Sequence, residues 1–183
     1  MSAVADLFAA YAALIREWAP RLDLVSPGDL DRLEERHIED SLRAAPLLDE
    51  LPDGPCADIG SGAGFPGIPL AIARPERRWT LIEPRHRRAA FLEEVVRELG
   101  LACQVVAATA EECAFDDALA GIHALATARA LAEPSAVPHM TAPLLRPDGI
   151  TLVFTGRGAA LPQGAEERAP GLTIMRRTDQ GAP

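Results

Sequence analysis

The run Cys56-Ala57-Asp58-Ile59-Gly60-Ser61-Gly62-Ala63-Gly64-Phe65-Pro66-Gly67-Ile68-Pro69 constrains the fold more than any other part of the chain. It reads as a short buried strand closed by an acid, a glycine turn, and the opening of a helix. Three glycines at every second position let backbone N–H groups approach a ligand and tolerate positive φ. The helix start beyond them offers unpaired donors and positive potential. Pro66 suits the first helical turn, where its missing N–H costs nothing.

On both sides of this turn the chain alternates. Short apolar runs predict strands over Cys56–Ile59, Trp79–Ile82, Cys103–Val106, Ala124–Thr127 and Ile150–Phe154. Between them, helices are expected over Ile68–Ala73, Arg87–Leu99 (closed by Gly100) and Glu133–Leu145. That pattern implies an α/β fold, a mostly parallel sheet with helices on both faces, whose ligands bind beyond the carboxyl ends of the strands. Upstream, the apolar stripe Val4, Leu7, Phe8, Tyr11, Leu14, Ile15, Trp18 predicts an amphipathic helix with Ser2 as cap and Pro20 as stop. A second helix is expected from Pro27 or Asp29 to Leu48. The division is then one domain over 1–183: a helical cap over 1–50, an α/β core over 55–156, and a short irregular C-terminal region over 157–183. In that last region Leu172–Met175 is a candidate strand.

Composition narrows the partners. The chain has 183 residues, 48% apolar and 25% charged, as expected of one globular domain. No window holds the roughly 20 apolar residues of a membrane span, and Asp6 stands where a secretory leader would be basic. Cys56, Cys103 and Cys113 are widely separated, which points to a reducing cytoplasm and away from a disulfide framework or a zinc site. The net charge of −9 argues against tight non-specific nucleic-acid binding. Locally the balance reverses: Arg74, Arg77, Arg78, Arg85, Arg87 and Arg88 crowd one stretch.

The chemistry lies at the expected strand ends. Asp58-x-Gly60-x-Gly62-x-Gly64, with Glu83 ending the next strand, suits a nucleoside cofactor whose ribose diol the second acid accepts. Dinucleotide sites show G-x-G-x-x-G; here the third glycine comes one residue early. A nicotinamide oxidoreductase therefore ranks last. The leading acid, the glycine spacing and Glu83 together resemble the class I S-adenosylmethionine fold.

Longer strings carry a closer resemblance. Gly60-Ser61-Gly62-Ala63-Gly64-Phe65-Pro66-Gly67-Ile68-Pro69-Leu70 resembles the bacterial 16S rRNA guanine-N7 methyltransferases called RsmG, formerly glucose-inhibited division protein B. Arg36-His37-Ile38-Glu39-Asp40-Ser41 is similar to that family's R-H-I-x-D-S, and Arg87-Arg88-Ala89-Ala90-Phe91-Leu92 to its K-R-x-x-F-L. Ala110-Glu111-Glu112 and Thr127-Ala128-Arg129-Ala130 match later landmarks. Asp23-Leu24-Val25 stands where the family has Asn-Leu-Thr, and Thr155-Gly156 where it has Lys-Gly, with Arg157 nearby.

The resemblance implies S-adenosyl-L-methionine as cofactor and 16S rRNA, or the 30S subunit, as partner. It implies that Asp58, Gly60, Ser61, Gly62, Gly64, Phe65 and Glu83 line the cofactor, with Ala110 and Glu111 at its adenine end. Arg129 is expected near the methionine moiety or target base as the positioning residue. His37, Asp40 and Ser41 are expected beside the pocket, and Arg85, Arg87, Arg88 and Arg157 to face RNA. Two alternatives stay open: a divergent member that N-methylates a small heteroaromatic metabolite, and a non-catalytic cofactor-binding module. The residues after the fourth strand, Ala130-Leu131-Ala132-Glu133-Pro134, are not the (Asp/Asn)-Pro-Pro-aromatic string of an exocyclic-amine enzyme.

Overall fold

A computed structural model describes residues 3–129, 136–155, 161 and 164–177. Its seven strands are β1 (Cys56–Ile59), β2 (Trp79–Ile82), β3 (Cys103–Val106), β4 (His123–Arg129), β5 (Leu145–Phe154), β6 (Glu166–Ala169) and β7 (Leu172–Arg176). They form one sheet in the order β3-β2-β1-β4-β5-β7-β6. β1 to β5 run parallel, and the β6–β7 hairpin closes the sheet antiparallel to β5. Strand order reverses at β1, whose neighbours are β2 and β4, so the crevice past its carboxyl end is the switch point where such sheets bind ligands.

Alternation along each strand divides the core into two. Cys56, Trp79, Leu81, Leu125, Ile150 and Leu152 turn to one face, under α1 (Ala3–Leu22), α4 (Gly67–Ala73) and α5 (His86–Leu99). Ala57, Ile59 and Ile82 turn to the other, where α6 (Ala110–Cys113) packs. Burial on both faces is why these strands read as continuous apolar runs. α1 buries Tyr11, Ala12, Ile15 and Ala19, one stripe of an amphipathic helix. α5 ends at Gly100, whose left-handed φ of 61° lets Leu101 N–H close back on the Val96 carbonyl.

Four expectations need correction. Pro20 does not stop α1, which continues to Leu22; a proline in the last turn forfeits only one backbone bond there. The second helix is not continuous. It is split into α2 (Pro27–Leu30), a π-helical segment Glu34–Glu39, α3 (Asp40–Leu42) and a 3₁₀ segment Ala45–Asp49. The region after 157 is not irregular throughout, because β6 and β7 form a hairpin tied back to the cap by Arg43 on the Pro170 carbonyl and by Arg168 on Glu50. The helix expected over Glu133–Leu145 is shorter where described: α7 is Val137–Thr141, followed by a 3₁₀ turn Ala142–Leu144. Ser2, residues 130–135, Gly156, Arg157 and the tail 178–183 lie outside the described residues.

The arginine-rich stretch is also divided. β2 separates Arg74, Arg77 and Arg78, at the amino end of the strands, from Arg85, Arg87 and Arg88 at the carboxyl end. Arg77 is buried and donates to the carbonyls of Leu48, Leu51 and Pro52, while Arg74 pairs with Asp49. Those two pin the cap to the core; only the second group stands at the ligand end.

Candidate cofactor and substrate site

The glycine turn leaves β1 exactly at the switch point, and each glycine in it answers a different demand. Gly60, Gly62 and Gly64 adopt φ of 69°, 59° and 102°, the left-handed region that L side chains rarely enter. At Gly64 a Cβ would lie 2.7 Å from Ile68 Cγ1 and 2.8 Å from the Tyr11 hydroxyl, so packing excludes it. At Gly62 the nearest atoms would be the Gly60 carbonyl oxygen at 3.8 Å and Arg88 Nη1 at 4.0 Å. The room at Gly62 is therefore open on the ligand side, not filled by the fold. Gly67 faces inward, where a Cβ would meet Leu81 at 2.6 Å and Asp58 Oδ2 at 2.8 Å.

The two acids of the motif do different work. Asp58 is fully buried; its carboxylate accepts from the Thr127 hydroxyl at 2.6 Å and from Gly67 N–H at 3.2 Å. It thereby joins β1, β4 and the start of α4 around the turn. Burial pushes its pKa up to about 6, against the opposing pull of these hydrogen bonds. Ser61 likewise turns inward, its hydroxyl on the Asp58 carbonyl. Glu83 ends β2 as expected, its Oε2 accepting from Gly62 N–H and its Oε1 from Arg85 N–H, both at 2.9 Å. Each carboxylate oxygen keeps a second lone pair. Ala110 and Glu111 open α6 past the end of β3, at the same carboxyl end of the sheet, held by a capping box between Thr109 and Glu112.

A second cluster covers the turn from the cap. Arg129 ends β4 and reaches the π-helical segment, donating to the Arg36 carbonyl at 3.0 Å, the His37 carbonyl at 3.4 Å and the Ser41 hydroxyl at 3.3 Å, and pairing with Asp40 at 3.2 Å. Its Nη2 also lies 3.3 Å from His37 Nδ1. The guanidinium sits over Phe65, 5.9 Å from the ring centroid. His37 stacks on the same ring at 4.9 Å and 22°. Burial, then the Arg129 charge, lower the His37 pKa, which keeps the imidazole neutral near pH 7 with Nδ1 free to accept from Arg129. Tyr11 completes the layer, 5.5 Å from Phe65 and donating to the Ala63 carbonyl at 2.7 Å. The local widening of a π-helix, rare and common at functional sites, is what exposes the Arg36 and His37 carbonyls to Arg129.

So the expected site residues form two adjoining groups. Gly60, Gly62, Glu83, Ala110 and Glu111 border the strand ends; Phe65, His37, Asp40, Ser41 and Arg129 make a layered cluster beside them. Asp58, Ser61 and Gly64 support the turn from within. Tyr11 and Thr127 were not foreseen as site residues. The chain's single tyrosine looked like one member of the helix stripe, and nothing local marked its hydroxyl as aimed at the glycine turn. Cys56 lies at the opposite, amino end of β1, and burial raises its thiol to about 11, so it does not act as a nucleophile here. No described helix is long and apolar enough to cross a membrane.

Comparison with known proteins bears on the family and the fold. The family GidB, rRNA small subunit methyltransferase G, matches residues 5–172. A ribosomal RNA small subunit methyltransferase G of Acidiphilium cryptum is 42% identical over 94% of this chain and 79% of its own length. One of Mycobacterium marinum is 45% identical over 74% of the chain. The chain spans only 58% of that relative's length. Among solved structures, a Corynebacterium glutamicum protein superposes with a TM-score of 0.60 at 17% identity, covering 92% of this chain and 89% of its own. The mitomycin 7-O-methyltransferase superposes at 0.52 and 19% identity, covering 75% and 54%. The structural likenesses carry the fold, and the sequence matches carry the family: the chain belongs to the rRNA small subunit methyltransferase G family.

Proposed function

We propose that this protein is an S-adenosylmethionine-dependent methyltransferase that methylates N7 of a guanine in 16S ribosomal RNA. The observation that carries the reading is the glycine turn at the switch point, open at Gly62 and flanked by the Glu83 carboxylate. These residues fit the cofactor: the space at Gly62 is bounded only by the Gly60 carbonyl and Arg88 at 3.8 Å and 4.0 Å, and Glu83, which holds the Gly62 N–H, keeps acceptor capacity for a ribose diol. Gly60, Gly62, Glu83, Ala110 and Phe65 would hold it. When bound, S-adenosylmethionine supplies a methyl group already activated by the sulfonium charge.

The residues need only position the reactants. Guanine N7 presents a lone pair and carries no proton, so transfer requires no general base. The rate then rests on in-line placement and exclusion of water. The Phe65–His37–Arg129 stack supplies a rigid wall, and the bonds from Arg129 to Arg36, His37, Asp40 and Ser41 hold the cap over the turn. Arg129 acts here as a positioning residue.

Two measurements test this reading. Calorimetry should show S-adenosylhomocysteine binding, and labelled methyl should pass to 30S subunits or 16S rRNA in preference to a panel of heteroaromatic metabolites. Transfer to a metabolite alone would replace the RNA acceptor. Binding with no transfer to any acceptor would leave a cofactor-binding module.

A further inference from the structure

Between the end of α1 and the start of α5 lies a cavity of about 320 Å³ lined by Arg21, Leu22, Asp23, Arg85, His86, Arg87 and Arg88. Four arginines and a histidine line it with one aspartate, in a chain whose net charge is −9. Two of the arginines build the wall: Arg87 donates to the Arg21 carbonyl at 3.1 Å and Arg88 to the Asp23 carbonyl at 2.6 Å. Among the described residues, the side chains of Arg21 and Arg85 have no protein acceptor, and both are exposed.

Taken alone, the arrangement is unfavourable. Like charges are drawn together, and three of them stand in or beside the first turn of α5, which contains no acid and no side-chain cap. Cations at that end oppose the helix dipole. α6, one strand away, has the ordinary solution of a capping box and two first-turn glutamates. Carbonyls at the end of α1 answer Arg87 and Arg88, and the Glu83 carboxylate answers the Arg85 N–H, which leaves the exposed side chains of Arg21 and Arg85 as the charge the described residues do not answer. The missing component is an anion that accepts several N–H bonds at once, for which guanidinium forks suit phosphate.

The cavity also borders the cofactor turn. Glu83 accepts from Gly62 on one side and from Arg85 N–H on the other, and Arg88 Nη1 lies 4.0 Å from where a Gly62 side chain would begin. A phosphodiester held there would lie beside the methyl donor's seat.

We propose that this arginine-lined cavity is a phosphate subsite that grips the RNA backbone next to the target nucleotide, with Arg21 and Arg85 as the direct donors. This inference rests on the RNA reading above. It adds a specific prediction: each donor accounts for about one released counterion, or close to one unit in the slope of log K against log salt.

The test uses the full chain and a 16S rRNA fragment in a salt series read by anisotropy. Arg21→Gln and Arg85→Gln should each lower the slope by about one and weaken binding at low salt, and the double variant by about two. Arg97→Gln removes the same charge at the far end of α5, where Arg97 pairs with Glu94 and Glu98, and should leave the slope alone. Affinity for S-adenosylhomocysteine and the melting temperature should stay near wild type in all four. Wild-type slopes in Arg21→Gln and Arg85→Gln, or an equal drop in Arg97→Gln, would overturn the subsite while RNA methylation by the unaltered chain still stood. An unaltered chain that neither binds nor methylates the RNA would overturn the RNA reading and this inference with it.

Discussion

At Gly62 and Gly64 the same residue type does opposite jobs, and substitution separates them. Gly62→Val should abolish S-adenosylhomocysteine binding in calorimetry, because the new side chain occupies the open room bounded by the Gly60 carbonyl and Arg88. It should cost only about 1–2 kcal/mol of stability, the strain of a left-handed L-residue. Gly64→Ala drives a methyl group into Ile68 and Tyr11, so its principal effect should be a large fall in melting temperature. Asp58 makes a pH prediction of unusual sign. With its folded pKa raised to about 6, the native chain retains a proton that the unfolded chain has released between about pH 4 and 6. Its contribution to stability therefore falls as pH rises through that window, by on the order of 3 kcal/mol. Denaturant titrations from pH 4 to 7 should show that component in the wild type and lack it in Asp58→Asn.

The cap is the element whose arrangement decides whether the site is complete. Arg129 is the clamp between β4 and the π-helical segment, so Arg129→Ala should reduce single-turnover methyl transfer more than tenfold while lowering the melting temperature only modestly. Hydrogen exchange of the amides over 34–42 should quicken in parallel. Arg129→Lys should not restore activity, since a point charge cannot reach two carbonyls, a hydroxyl and a carboxylate together. Unchanged activity and exchange in Arg129→Ala would remove the clamp. The π-helical segment was beyond local reading, because no proline or glycine interrupts 31–44, whereas Pro46 does mark the change to the 3₁₀ segment; what Arg129 reaches there lies almost ninety residues away in sequence. By contrast β1 and β2 lie where their apolar runs put them, since burial on both faces of a parallel sheet leaves a plain signature. The glycine turn was legible for a different reason: its positive φ angles are recorded in the glycine spacing. The roles of Tyr11 and Thr127 were not, because contacts across 52 and 69 residues leave no local pattern.

Across the whole molecule, the two ends of the sheet carry arginines in different settings. Arg77, buried at the amino end, satisfies three carbonyls of the segment leading into β1. Arg77→Met should leave those oxygens unanswered and cost about 3 kcal/mol in denaturant titration, with cofactor affinity of the folded fraction unchanged. At the carboxyl end, Arg85, Arg87 and Arg88 concentrate positive charge on an acidic body, which favours one orientation of approach for a polyanion. The sheet itself has a further consequence. Its last strand, β6, carries Glu166, Glu167 and Arg168, all exposed. A strand from another molecule that tried to extend the sheet past β6 would have to desolvate this run of charge. The hairpin that completes the fold thus also guards that edge of the sheet against pairing with a second molecule.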